Sequence, residues 1–147
     1  MASLGESLLE KLRRVSQIQG AISIPTSGET AAHTIPLLPG LSLATVPSDR
    51  DLTPEERRHE SVHALGGLPL AATGTVVSKL LGVTQGGMPH AYLAPDEVLS
   101  YFLQPQSDAT REDMKTIGTL AGKFEPHNVP GEGYLALVKA LSEKFAR

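Results

Sequence analysis

The sequence predicts a mainly helical α+β domain with a small β-sheet. Three observations carry that reading. Several stretches place apolar residues at helical spacing. The segment from Ala21 to Asp51 is crowded with Pro25, Gly28, Pro36, Pro39, Gly40 and Pro47, which suits extended chain and turns rather than helix. The chain has 147 residues, the size of one compact domain.

Taken in order, residues 1–20 hold an amphipathic helix between Glu6 and Gln19, with Leu8, Leu9, Leu12, Val15 and Ile18 on its apolar side. Gly20 stops it. Residues 21–52 form the Pro- and Gly-rich extended segment, with Ala21 to Ile24 and Leu41 to Val46 as short strands. The second has the apolar content of a strand packed on the core, or of an edge that holds an extended peptide. Residues 53–147 form a helical region. Thr53-Pro54-Glu55-Glu56 opens its first helix: Thr53 caps, Pro54 suits the first helical position and Glu56 completes a capping box. That helix runs to about Leu65, where Gly66, Gly67 and Pro69 end it. Thr73 to Leu81 reads equally as strand or short helix. Pro95-Asp96-Glu97 starts a helix with Val98, Leu99, Phe102 and Leu103 on one face. Thr110 starts another, with Met114, Ile117, Leu120, Ala121 and Phe124. The last runs from about Glu132 to Phe145 on Leu135, Val138, Leu141 and Phe145.

Composition narrows the chemistry. Apolar residues make up 40% and aromatics only 4%, so Leu, Val, Ile and Ala must build the core. The net charge of -3, with both signs mixed, supplies no basic stripe for nucleic acid. With no cysteine, a transition metal must be held by His, Asp or Glu. No continuous apolar run of about 18 residues is present, so no membrane span is expected. The charged N-terminus lacks a signal-peptide pattern, and the expected location is cytoplasmic.

The chemistry-bearing segment is His59-Glu60-Ser61-Val62-His63. Two histidines at i and i+4 leave one helix face one turn apart, so both imidazoles can reach one zinc ion. Glu60, beside that face, can reach a zinc-bound water and take its proton. This is the physical content of H-E-x-x-H. Ordinary surface histidines are the competing reading. The capped helix under the motif, and the small Ala64 and Gly66 after it, favour the metal site. A catalytic zinc needs a third protein ligand and an open position. Position 69 is Pro69, which rules out a third histidine three residues after Gly66. His90, Asp96, Glu97, Asp108, Glu112 and Asp113 remain.

His59-Glu60-Ser61-Val62-His63-Ala64-Leu65 resembles the H-E-A-G-H-A-L segment of the FtsH-type ATP-dependent metalloproteases. Leu81-Gly82-Val83-Thr84-Gln85 and the helix start from Ala109 to Ala121 are similar to later segments of that family, in the same order. The resemblance covers about Thr53 to Ala121 and implies a zincin-like peptidase fold with zinc as cofactor. It also implies Asp113 as third ligand. Asp113 is expected in the first turn of its helix, beside the buried face, where it could also close a capping box with Thr110. His90 and Glu97 are chemically suitable alternatives. Ser61 and Val62 depart from the family's small pair, and no G-x-x-x-x-G-K-[S/T] loop is present.

The expected activity is therefore zinc-dependent, ATP-independent hydrolysis of peptide bonds in flexible or unfolded polypeptide. His59, His63 and Asp113 hold the metal and Glu60 is the base. The alternative is a non-catalytic zinc-binding structural or interaction protein with a peptidase-like fold. A homo-oligomer or a separate unfoldase partner is compatible with either. Met88 could form a turn under the metal, or fill the core. His33 and His127 read as solvated or hydrogen-bonded structural residues, Arg57 and Arg58 as a solvated helix face. Tyr92 and Tyr101 could donate to an oxyanion.

Overall fold

A computed structural model describes residues 8, 9, 13, 16–82, 93–123 and 131–147. Most of the expected first helix, together with Met88, His90, Tyr92, Phe124 and His127, lies outside the described residues. Within that helix, Leu8, Leu9 and Arg13 are helical, and residues 16–20 are already turns. The expected mainly helical architecture with a small sheet is present. Among the described residues, the strands β1 (Ala21–Thr26), β2 (His33–Leu38) and β3 (Leu41–Pro47) are followed by the helices α1 (Pro54–Leu81), α2 (Pro95–Phe102), α3 (Asp108–Lys123) and α4 (Gly131–Phe145). The chain divides into two compact units, Met1–Pro69 and Leu70–Arg147.

In the first unit the sheet order is β1-β3-β2, with β1 parallel and β2 antiparallel to β3. This corrects the expectation that Leu41 to Val46 is a peptide-holding edge: β3 is paired on both sides, and the edges are β1 and β2. β2 itself was not expected. It accommodates Pro36 through a register shift between Ile35 and Leu38, as an edge strand can. Pro39-Gly40 turns the chain into β3, with Gly40 at φ 78°, the conformation a type II turn requires at that position. Side chains alternate along β3. Ser42, Ala44 and Val46 are buried. Ala44 and Val46 join a core of small and branched residues that includes Ile18, Ala32, Leu52 and Ala64. On the opposite face Ile22, Ile24, Ile35 and Leu41 are exposed.

The start of α1 is the expected capping box, made in both directions. The Glu56 N–H donates to Thr53 Oγ1 at 3.2 Å, and the Thr53 N–H donates to Glu56 Oε1 at 3.1 Å. Arg50 adds two bonds to the same carboxylate, at 2.8 and 3.0 Å. Partial burial pushes the Glu56 carboxyl up. The Arg50 guanidinium and both Thr53 donors pull it down by more, and the net direction is below its ordinary value. A carboxyl lowered by folding stabilises the fold above its unfolded value, and the effect fades as pH falls through the folded one. Arg50→Ala is therefore expected to lower the denaturation midpoint more at neutral pH than in acid below the Glu56 titration, where only its bonds to the Thr30 and Asp51 carbonyls are lost. An equal loss at both pH values would contradict this account.

Gly66, Gly67 and Pro69 do interrupt α1, but helix resumes beyond them. Gly67 leaves helical geometry at φ 59°, ψ -157°, and Thr73 to Leu81 is helical. Proline is tolerated so soon after the break because a first-turn N–H has no helical partner. The Ala64 carbonyl accepts instead from the Gly40 N–H at 3.2 Å and the Ser42 hydroxyl at 3.1 Å. A turn between strands thus closes the first half of the helix, satisfying a carbonyl that the break would orphan. By length and composition alone α1 is apolar enough to cross a membrane, with 22% of the relevant window buried. The expectation of no span rested on continuous apolar runs, and this window includes Pro69 and Lys79.

The second unit has its own core of Leu93, Val98, Met114, Ile117, Ala121, Leu135 and Val138. In α2, Val98 faces inward as expected, while Leu99 and Leu103 are exposed. Phe102 stacks at a tilt on Phe145, with ring centroids 5.6 Å apart. Tyr134 donates its hydroxyl to the Leu93 carbonyl at 2.8 Å. Burial, and then the charge of Asp96, push that hydroxyl far above its ordinary pKa, so it remains a donor. Gly74 lies so near Asp96 that an added Cβ would fall 2.1 Å from its carboxylate. Gly118 similarly lets α3 approach Ser142 of α4.

Candidate metal centre

His59, Glu60 and His63 occupy the first half of α1, ahead of the Gly67 break. Both histidines are partly buried. Their ring centroids lie 5.2 Å apart at an interplanar angle of 59°. Two imidazoles so placed fit a single transition-metal ion, which takes a nitrogen from each at about 2.0–2.1 Å. The helix supplies this spacing through one turn of backbone, and Thr53, Pro54 and Glu56 fix where that turn begins.

Glu60 also lies on this helix, partly buried. Its carboxylate Oε2 accepts the Thr34 backbone N–H at 3.1 Å and the Thr34 hydroxyl at 2.5 Å. The donor residue is on β2, an edge strand, and its N–H points away from β3. No feature of the local sequence signals this contact, because the partners are 26 residues apart.

Ser61 departs from the small-residue pattern of the resembled family, and the structure gives it a role. It is buried. Its hydroxyl accepts the Gln19 N–H at 2.9 Å and donates to the Arg57 carbonyl. Leu52 N–H, donating to Gln17 Oε1 at 2.9 Å, makes a second tie between residues 16–20 and the approach to α1. Val62 is half-buried.

The carboxylates considered as third ligand belong to the second unit. Glu97 is in the first turn of α2. Asp113 is in the second turn of α3, not the first, because that helix starts at Asp108. Its cap is Ser107, whose hydroxyl accepts the Thr110 N–H at 3.1 Å. The reading of Asp113 as capping partner of Thr110 is thereby corrected. Asp113 Oδ2 accepts instead from the amide of the buried Gln104 at 2.9 Å. His33 opens β2, exposed, with Nε2 3.4 Å from a Glu29 oxygen, in keeping with a structural reading. Tyr101 is half-buried in α2 and packs against the second core. No family model, curated protein or solved structure matches the chain.

Proposed function

We propose that this protein is a zinc-dependent peptidase of the FtsH-like type, acting without ATP on flexible or unfolded polypeptide. The observation that carries the reading is the pair His59 and His63, one turn apart on a capped helix with their rings 5.2 Å apart. Glu97 is the third donor we favour, a carboxylate that would complete two imidazoles into a donor set zinc accepts. Asp113, which the family resemblance favours, already has one oxygen engaged by Gln104. When bound, the ion would supply a Lewis acid that acidifies water and polarises a carbonyl. Glu60 takes a proton from the attacking water and returns it to the leaving amine.

Wild-type protein dialysed against zinc is expected to retain about one ion per chain by elemental analysis. Removing a ligand should weaken binding at least as much as removing a group that merely orients one. His59→Ala, His63→Ala and Glu97→Ala are therefore each expected to lose about 100-fold or more in affinity, with Asp113→Ala close to wild type. Absence of stoichiometric zinc in the wild type would end the proposal. Loss in Asp113→Ala with retention in Glu97→Ala would return the third ligand to Asp113.

The second reading is a zinc-binding structural or interaction protein. The contact between Glu60 and Thr34 favours it, since a carboxylate bonded to an edge strand also braces helix against sheet. Hydrolysis by the zinc-loaded wild type separates the two.

A further inference from the structure

The Thr34 contact has a chemical asymmetry that bears on the peptidase reading. Both of its bonds to the Glu60 carboxylate end on Oε2. One comes from a backbone N–H, the other from a hydroxyl. Neither donor is easily lost: the N–H is fixed by the pairing of Thr34 with Ala44 on β3, and the hydroxyl sits on the same residue. Two donors on one oxygen fix the plane of the carboxyl group. Oε1 is the oxygen left to accept a proton.

We propose that Thr34 is the positioning residue for Glu60, holding Oε2 so that Oε1 serves as the base. The inference rests on the metallopeptidase reading given above. The proton balance is simple. Oε1 gains a proton from water as the water oxygen bonds to the peptide carbonyl carbon. The same proton leaves Oε1 for the amine nitrogen when the C–N bond breaks. Thr34 keeps its own hydrogens throughout and touches no substrate atom. Its effect is orientation: a base held by two bonds needs no rearrangement at the moment of transfer, and small misplacements of such groups are costly.

The test compares zinc-loaded wild type, Thr34→Val and Thr34→Ser on an unstructured fluorogenic peptide. Val keeps the shape and the backbone N–H but lacks the hydroxyl; Ser restores it. Thr34→Val is expected to lose roughly 10- to 100-fold in kcat, with KM and zinc content unchanged, and Thr34→Ser to recover most of the rate. If Thr34→Val does not fold, Thr34→Ala makes the same comparison. A second measurement needs neither metal nor activity: hydrogen exchange at the Thr34 amide of the metal-free protein. It is expected to be slow in the wild type and faster in Glu60→Ala. Wild-type kcat in Thr34→Val, or fast exchange at Thr34 in the wild type, overturns the proposal. A protected Thr34 amide in a zinc-loaded wild type that cleaves nothing points elsewhere. The peptidase reading then falls, and Thr34 is reduced to a tether between strand and helix.

Discussion

Replacing Gly67 with alanine is expected to destabilise the first unit by about 3–5 kcal/mol, from backbone strain and overpacking together. At φ 59°, ψ -157° the backbone lies close to a region that essentially only glycine occupies. An added Cβ would also sit 2.6 Å from Pro39 N, 2.7 Å from the Leu38 carbonyl carbon and 2.9 Å from the Leu37 oxygen. These are backbone atoms of the β2–β3 turn, not flexible side-chain ends, and they cannot swing aside. Gly28 is the internal comparison. It too has positive φ, 83°, but nothing lies within 4 Å of its would-be Cβ. Gly28→Ala should therefore carry the conformational cost without the collision. Denaturant midpoints at unchanged m report both values. If the two substitutions cost the same, the turn does not press on α1 as described. A loss of 3–5 kcal/mol is a large part of the stability of a domain this size, roughly 5–15 kcal/mol.

The second large effect concerns chemistry rather than folding. Glu60→Gln is expected to lower kcat by roughly 100- to 10,000-fold, the range that a positioned acid–base group contributes. Zinc content should not change, because Glu60 is not among the proposed ligands. Stability should fall only slightly, since the glutamine carbonyl can still accept from the Thr34 N–H and hydroxyl. Unimpaired hydrolysis would remove Glu60 from the reaction. A large loss of zinc would make it a ligand instead. Glu60→Ala differs in a useful way: it leaves the Thr34 donors without their acceptor, and an additional stability cost of about 1–3 kcal/mol is expected.

What could be read from the sequence was what is local in it. Thr53, Pro54 and Glu56 lie within four residues, and the capping box they predict is formed in full. His59 and His63 are one turn apart for the same reason. Longer connections left no trace. Gly66, Gly67 and Pro69 read as the end of a helix because turn residues do not say whether helix resumes, and the apolar stretch beyond them fits either period. β2 was missed because Pro36 interrupts its alternation, and an edge strand with an open face need not be regular. Asp113 looked like a cap from its distance to Thr110, but Ser107 lies three residues before Thr110 and captures its N–H first. The contact between Thr34 and Glu60 depends on how a strand and a helix meet, which spacing alone does not encode. The third ligand was open for the same reason, since every candidate carboxylate is more than 30 residues beyond His63.

The tip of a β-hairpin is ordinarily where a chain accepts extra residues, because nothing packs on it and its length can drift. The Pro39-Gly40 tip is different. Its Gly40 N–H closes off the Ala64 carbonyl, one residue after His63, and the backbone leading into it, from Leu37 to Pro39, fills the space that Gly67 leaves empty. A residue inserted there would lengthen more than a loop. It would uncouple the end of the histidine-bearing helix from the sheet that anchors it. Two histidines and two glycines, spread across 28 positions, therefore behave as one inheritable unit, and the hairpin tip is as constrained as the motif itself.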